Sequence, residues 1–373
     1  MKVILNIDNY HAIKACSLTI GTFDGVHVGH REIIQRLVNS AKEKNLLSVV
    51  LTFFPHPRMV LQKDTSIRLI DTLAEKQQLL EGLGVDILIV HPFSKEFSRQ
   101  SADEFTRDIL VNSLQIGHLI IGYDHRFGRN REATVDDLIL AGDTYGFSVD
   151  KIEAKDIDSV NVSSTKIRTA LNEGDISTAN TYLNRPFKLT GKVIQGEEIG
   201  RTIDYPTANI TIEEEYKLLP DDGVYFVQSK RENEILFGMM NIGFRPTLEG
   251  ETRSFEVHFF DFQEDLYGEE LAIEFLQHIR KEKKFTSLEK LKEIAENEQY
   301  FESSINEYNA LKEKLSPNKA RDLSKFETEI KELVEGEIIG RYYYQNGQMT
   351  FELNRDKFVK NSVKTLSNSE EYK

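Results

Sequence analysis

GTFDGVHVGH, Gly21 to His30, stands between an apolar run (Leu18, Ile20) and an amphipathic segment, the place where a strand hands over to a helix. Its centre is an HxGH. His27 and His30 flank Gly29, whose missing side chain lets a polyphosphate approach the backbone and the N-terminus of the next helix. Ile33, Ile34, Leu37, Val38 and Ala41 share one helical face, and Leu46 to Phe54 (LLSVVLTFF) then reads as a buried strand. A strand, helix, strand unit with a phosphate-type turn predicts nucleotide chemistry. Two surface histidines in a glycine-rich turn is the plainer alternative.

From residue 1 to about 185 strand and helix signals keep alternating, which predicts a parallel sheet with helices on both faces. Helices are expected near Asp71 to Leu83, after the capping box Ser101/Glu104 ahead of Phe105, Ile109 and Leu110, and from about Thr134. Strands are expected at Val85 to Val90, His118 to Ile121 and Phe147 to Ile152. The pattern is Rossmann-like, and the lack of GxGxxG counts against a dinucleotide redox cofactor.

Around Arg185 and Pro186 the pattern changes to short strands between turns: Leu189 to Ile194, Thr207 to Ile212, Val224 to Ser229, Ile235 to Ile242, Phe255 to Phe262 and Leu271 to Phe275. Six such strands predict a small barrel, and Leu288, Leu291, Ile294 and Ala295 predict a helix packed on it. Beyond Ser316-Pro317, Leu323, Phe326, Ile330, Leu333 and Val334 make an apolar stripe ended by Gly336. Asn346-Gly347 then reads as a type I′ hairpin, so the tail is expected to fold. Tyr342 to Tyr344 could add an edge strand to a neighbour, which leaves a homo-oligomer open.

Size and composition bound these readings. The 373 residues suffice for two domains, each able to bury a core, and no run of 18 apolar residues is present to span a bilayer. MKVILNIDNYHAIK is interrupted by Asn6 and Asp8, unlike a secretory signal. The single cysteine, Cys16, fits a reducing cytoplasm and an inert thiol. A net charge of −14 argues against a nucleic-acid surface while leaving room for small anions held by local clusters.

Further segments belong with the HxGH. In IIGYDHRFGRNREAT a strand end leads into Gly122, Asp124, Arg126, Gly128 and Arg129, at the carboxyl edge of a parallel sheet where ligands sit. In VSSTKIRTAL, Ser163, Ser164 and Thr165 open a helix whose free N–H groups favour an anion, with Arg168 expected in its first turn. Standing alone, Ser163 to Thr165 equally reads as an N-cap. Pro55, His56, Pro57 and Arg58 follow a strand end and either border a phosphate or form a rigid turn.

Taken together, GTFDGVHVGH, TFFPHPRMVL, IIGYDHRFG and VSSTKIR resemble the adenylyltransferase half of the bacterial bifunctional riboflavin kinase/FAD synthetase family. GKVIQGEEIGRTIDYPTANI, LLPDDGVYFV, GMMNIGFRPT and SFEVHFFDFQEDLYGEEL resemble its kinase half, and the likeness runs from about Leu18 to about Lys292 in the family's order and spacing. It implies an α/β Rossmann-like nucleotidyltransferase domain over 1–185 and a riboflavin kinase-like six-stranded antiparallel β-barrel with its helix over 186–312. A short α+β tail over 317–373 is left without a role. RYYYQNGQ in that tail faintly resembles the C-terminus of carboxy-terminal processing peptidases; no catalytic Ser/Lys constellation accompanies it.

The resemblance implies a cytoplasmic enzyme with Mg²⁺, taking ATP, riboflavin and FMN and releasing FMN and FAD. In the first half, Gly21, Thr22, Phe23, Asp24 and Gly29 are expected to border ATP, and His27 and His30 to donate to phosphoryl oxygens as charge develops. Ser164, Thr165 and Arg168 would neutralise the leaving pyrophosphate. Asp124 stands where many relatives have Asn. In the second half, the period-2 alternation of SFEVHFFDF puts Glu256 and His258 on the face opposite Phe255, Val257 and Phe259. Glu256 matches the family's catalytic glutamate, although a solvated strand glutamate fits the pattern as well. Thr207 and Asn209 of PTAN offer hard oxygen ligands for Mg²⁺. Gly191, Gly196 and Gly200, with Arg201, would form the loop over the phosphates, unless those glycines merely mark bulges. LKEIAENEQ lacks the glutamine relatives carry within LKxQI. Two rivals remain: a nucleotidyltransferase with another phosphate acceptor, and a flavin- or nucleotide-binding regulator without turnover.

Overall fold

In the computed structural model six parallel strands form the sheet: β1 (Lys2–Leu5), β2 (Cys16–Ile20), β3 (Leu47–Phe54), β4 (Ile87–Pro92), β5 (Ile116–Gly122) and β6 (Ser148–Ile152). Their order is β1-β4-β3-β2-β5-β6. The structure describes residues 1–62, 67–123, 125–152, 162–196, 206–232, 234–247 and 250–281. The helix expected at Leu288 to Ala295, LKEIAENEQ and every element of the tail lie outside them.

Strand alternation splits the sheet's apolar residues between two faces. Val50, Leu88 and Val90 pack with Ile34, Leu37 and Val38 of α1 (Val28–Glu43) and, past the short α2 (Pro57–Leu61), with Leu80 of α3 (Leu73–Gly82). Val49, Leu51, Ile87 and Ile89 pack on the other face, under α4 (Ala102–Glu104), the helix that continues it, and α5 (Val135–Tyr145). The Ser101/Glu104 capping box is present. Over Phe105–Ser113 the helix is wound as a π-helix, wider than the α-helix expected. This turn aligns residues five apart, so both Phe105 and Leu110 are buried. Strand β1 was not foreseen, because four residues are too short to show a period; it pairs in parallel with β4 from Lys2↔Ile87.

The second half closes into a barrel of β7 (Phe187–Ile194), β8 (Ala208–Thr211), β9 (Gly223–Arg231), β10 (Glu234–Thr247), β11 (Gly250–Phe259) and β12 (Glu270–Lys281). The order is β10-β11-β8-β7-β12-β9, all antiparallel, and closure leaves no free sheet edge. Between sheet and barrel lie α6 (Ser164–Asn172) and α7 (Ile176–Leu183). Their apolar residues Ile167, Leu171, Ile176 and Leu183 share a core with Phe187, Leu189, Tyr225 and Phe275 of the barrel. One end of α6 therefore faces the sheet's ligand edge while its flank is anchored in barrel core.

Candidate nucleotide sites

The sheet order reverses at β2, which has β3 on one side and β5 on the other, so the loop after β2 opens at the topological switch point. That loop is Gly21 to His27. Its backbone takes positive φ at Phe23 (45°), Gly25 (86°) and Val26 (38°), a conformation costly for Phe and Val and held by its surroundings. Three side chains anchor its carbonyls. Lys76 Nζ donates to Thr22 O at 2.7 Å, Ser164 Oγ to Asp24 O at 2.9 Å, and Arg185 Nη2 to Gly25 O at 3.3 Å. The buried Asp24 carboxylate accepts from the Ile70 N–H at 2.9 Å and from Arg168 Nη2 at 2.5 Å. Burial pushes the Asp24 pKa up against the opposing pull of Arg168 and Lys76. The same burial pulls Lys76 down against Asp24 and Asp71.

His27 is the N-cap of α1, its Nδ1 accepting from the His30 N–H at 3.4 Å. The two imidazoles stack, with centroids 3.6 Å apart and planes 18° from parallel, and Phe23 meets His30 edge-on at 5.2 Å. His30 Nδ1 is buried and without a hydrogen-bond partner among the described residues. Burial lowers the His27 pKa to about 4, and burial, with His27 and Lys76 nearby, holds His30 well below its ordinary value. Both rings are thus neutral at pH 7, each offering one N–H.

A pH dependence follows. In the unfolded chain His27 binds its proton below about pH 6.5; in the folded chain it does so only near pH 4, so stability is lost as pH falls through that window. Between pH 7 and pH 5 this one group is expected to remove about 2 kcal/mol. Thermal melts should show a smaller loss over the same interval in His27→Gln than in the parent.

The sequence-derived candidates around this loop converge. Gly21, Thr22, Phe23, Asp24, His27, Gly29 and His30 lie on it or on the first turn of α1, and Ser164 touches it directly. Thr165 is the second residue of α6, whose N-cap is Ser163. Arg168 is the fifth residue of that helix, a turn deeper than expected, where its guanidinium reaches Asp24 and the Arg68 carbonyl. His56 caps α2, and burial, with Arg168, Lys76 and Arg58 nearby, lowers its pKa to about 4. Asp124 lies outside the described residues. Lys76 and Arg185 carry no sequence signal, since a lysine on an amphipathic helix and an arginine before proline read as surface and boundary. A row of rings along the carboxyl ends of β3 to β5 also went unread, although its phenylalanines stand in the sequence. Phe53, Phe93, Phe97, Phe105 and Phe127 follow one another at 5.5 to 6.1 Å.

In the barrel, β11 lies between β10 and β8 and pairs Glu256 with Asn209 and Val257 with Ala208. Phe255, Val257 and Phe259 are buried while Glu256 and His258 are partly exposed, as the alternation predicts. Thr207 Oγ1 reaches Glu256 Oε2 at 3.4 Å, and His258 Nδ1 lies 2.9 Å from Pro206 O. A Cβ at Gly196 would collide with the Asn209 amide, so the glycine lets the chain close over that side chain. A cavity of about 470 Å³ opens beside Thr207, bounded by Val193, Phe259, Phe262 and Tyr267. Gly200 and Arg201 lie outside the described residues. No group of three or more His, Cys, Asp or Glu poised for a metal occurs among the described residues. A cation here would rest on hydroxyl and amide oxygens together with ligand phosphates.

The family model described as FAD synthetase matches residues 10–166, and that described as riboflavin kinase matches 183–303. A third, described as the C-terminal helical domain of a probable PDZ-protease, matches 258–366. Among curated relatives, the bifunctional riboflavin kinase/FMN adenylyltransferase of Haemophilus influenzae is 39% identical over 295 residues, covering 78% of this chain and 95% of its own. Those of Escherichia coli K12 and Bacillus subtilis are 37% and 36% identical, each covering 80% of this chain and 96% of their own. A crystal structure described as a macrolide-efflux protein from Streptococcus pneumoniae superposes with a TM-score of 0.70 at 30% identity, over 80% of this chain and 99% of that one.

Proposed function

As the chain belongs to the bifunctional riboflavin kinase/FMN adenylyltransferase family, we propose that its barrel phosphorylates riboflavin and its sheet domain, at the Gly21–His30 loop, adenylylates the product. The activity is ATP + riboflavin to FMN and ADP, then ATP + FMN to FAD and pyrophosphate. Residues 1–185 and 186–312 carry the two steps, with 317–373 as an extension.

The observation that carries the adenylylation site is the stacked, neutral imidazole pair at the switch point, one buried ring nitrogen of which has no partner among the described residues. A phosphate oxygen of FMN attacks the α-phosphorus of ATP; that P–O bond forms as the bond to the β-phosphate breaks. Pyrophosphate leaves and no enzyme-bound intermediate is needed. Catalysis is positioning plus stabilisation of developing charge. His27 and His30 donate to the phosphoryl oxygens, Gly29 permits close approach, and the N-terminus of α6 with Ser164, Thr165 and Arg168 receives the pyrophosphate. The half-buried Phe53, Phe93 and Phe97, backed by the buried Phe105 and Phe127, offer the planar isoalloxazine a stacking surface.

In the barrel the riboflavin 5′-hydroxyl gives its proton to Glu256 as it attacks the γ-phosphorus; the bond from that phosphorus to the β-phosphate oxygen breaks and ADP leaves. Thr207 and Asn209 fit Mg²⁺ as hard oxygen donors beside a carboxylate; the ion would neutralise phosphate charge when bound with ATP. Gly196, Gly200 and Arg201 are the residues proposed to bind the ATP phosphates. Gly196→Ala, by displacing the Asn209 amide, is expected to raise the ATP KM of FMN formation about tenfold. FAD formation from supplied FMN should stay as in the parent, which initial rates on each substrate will check.

Small molecules are the partners this chemistry requires. No described helix is long and apolar enough to cross a membrane. The cytoplasm suits an ATP-dependent enzyme whose lone thiol, Cys16, is buried and pushed up to about 12. Incubating the purified chain with riboflavin and Mg-ATP and separating the flavins by chromatography tests the whole reading. FMN should appear first and FAD after it; no FMN from riboflavin and no FAD from FMN would overturn it.

A further inference from the structure

Between the two sites runs a connection that neither reaction uses chemically. Leu69 and Lys217 form a parallel bridge. The Leu69 N–H donates to Tyr216 O and the Leu218 N–H to Leu69 O, each at 2.7 Å. Lys217 belongs to the connection between β8 and β9, and its side chain is 1% exposed. Its Nζ donates to the Ile70 carbonyl at 2.6 Å and to Glu75 Oε2 at 2.5 Å. The other Glu75 oxygen accepts from Thr190 of β7 at 2.8 Å, and Oε2 also takes the Thr72 N–H that begins α3.

Each end of this clamp continues into the Gly21–His30 loop. Ile70, whose carbonyl Lys217 holds, gives its own N–H to the Asp24 carboxylate. Lys76, the residue after Glu75, gives its ammonium group to Thr22 O. Gly25 lies flat against Ile70, where a Cβ would come within 2.9 Å of Cδ1. The strained loop is therefore braced through two short relays that both begin at one barrel-side ammonium group.

We infer that Lys217 is a positioning residue for adenylyl transfer: the kinase half fixes Ile70 and Glu75, and these set the place of the phosphate loop through Asp24 and Lys76. The inference rests on reading the Gly21–His30 loop as the adenylylation site. Misplacement of a reacting group by about 1 Å can cost on the order of a hundredfold in rate. The Thr207–Glu256 site makes no use of Lys217, so the two activities should part.

In full-length Lys217→Met, kcat for FAD formation from FMN is expected to fall 10- to 100-fold, with KM for ATP and FMN changed less than threefold. Riboflavin phosphorylation should stay within twofold of the parent, which also reports that the chain is folded. Lys217→Met with Glu75→Gln removes the stranded buried charge while keeping a side-chain oxygen for the Thr72 N–H and an amide that can pair with Thr190, and should recover melting temperature. It should not recover kcat, because Ile70 O still lacks its donor. The inference is overturned if Lys217→Met keeps its adenylylation kcat within twofold, if both activities fall together, or if the double variant regains full kcat. If Lys217→Met fails to fold, the double variant alone decides by the same criteria. His30→Ala run alongside separates the premise: unchanged FAD formation there would mean that the site, and not the relay, was misassigned.

Discussion

His30→Ala is expected to lower FAD formation from supplied FMN by about 10²- to 10³-fold, while riboflavin is converted to FMN at the parental rate. Removing one preorganised donor aimed at developing oxyanion charge typically costs that much in kcat. The ring is half-buried with its Nδ1 out of solvent, neutral and stacked on His27, so it donates from a largely desolvated position. Helix α1 should survive the change, because the N-cap bond runs from the His30 backbone N–H to the His27 ring and needs no His30 side chain. His30→Asn, which keeps an N–H donor of similar reach, should recover part of the lost rate. Chromatographic separation of flavins with riboflavin or FMN as the starting substrate reads both steps. Equal loss of both in a folded protein would rule out independent sites.

The elements that position these histidines were legible because they are repetitive. β2, β3 and α1 announce themselves through apolar runs and a 3.6-residue stripe, and the barrel through six alternating segments that the closed order confirms. What escaped was decided by tertiary burial. Lys76 and Lys217 sit in segments where a lysine ordinarily faces water, yet both are nearly fully buried and bonded to backbone carbonyls. Ile70 reads as one more apolar residue, although its two backbone groups connect barrel and loop. Arg168, expected in the first turn of α6, is the fifth residue of that helix, and that its guanidinium turns back to Asp24 and the Arg68 carbonyl is a direction the sequence does not show. The π-helix escaped for a related reason: Phe105, Ile109 and Leu110 satisfy an α-helical stripe as well as a wider one. Only the packing beneath selects between them.

Glu256→Gln should produce the complementary loss, a 10²- to 10⁴-fold fall in kcat for riboflavin phosphorylation with FAD formation from FMN unchanged. Glutamine keeps the shape of the side chain on β11 and its backbone pairing with Asn209, but has no carboxylate to take the 5′-hydroxyl proton. Thr207 and Asn209 remain, so binding of Mg-ATP should hold and its KM change less than threefold. The loss then lies in a proton transfer made only in the transition state, which lowers kcat and kcat/KM together. A glutamate that merely faced solvent would give a variant with parental kcat, and one that only held metal would raise the ATP KM instead. Initial-rate kinetics over a range of ATP and Mg²⁺ concentrations distinguish the three. Paired with His30→Ala, the result assigns one chemical step to a carboxylate on a barrel strand and the other to a histidine pair at a sheet switch point, in a chain where the barrel also braces the sheet's loop.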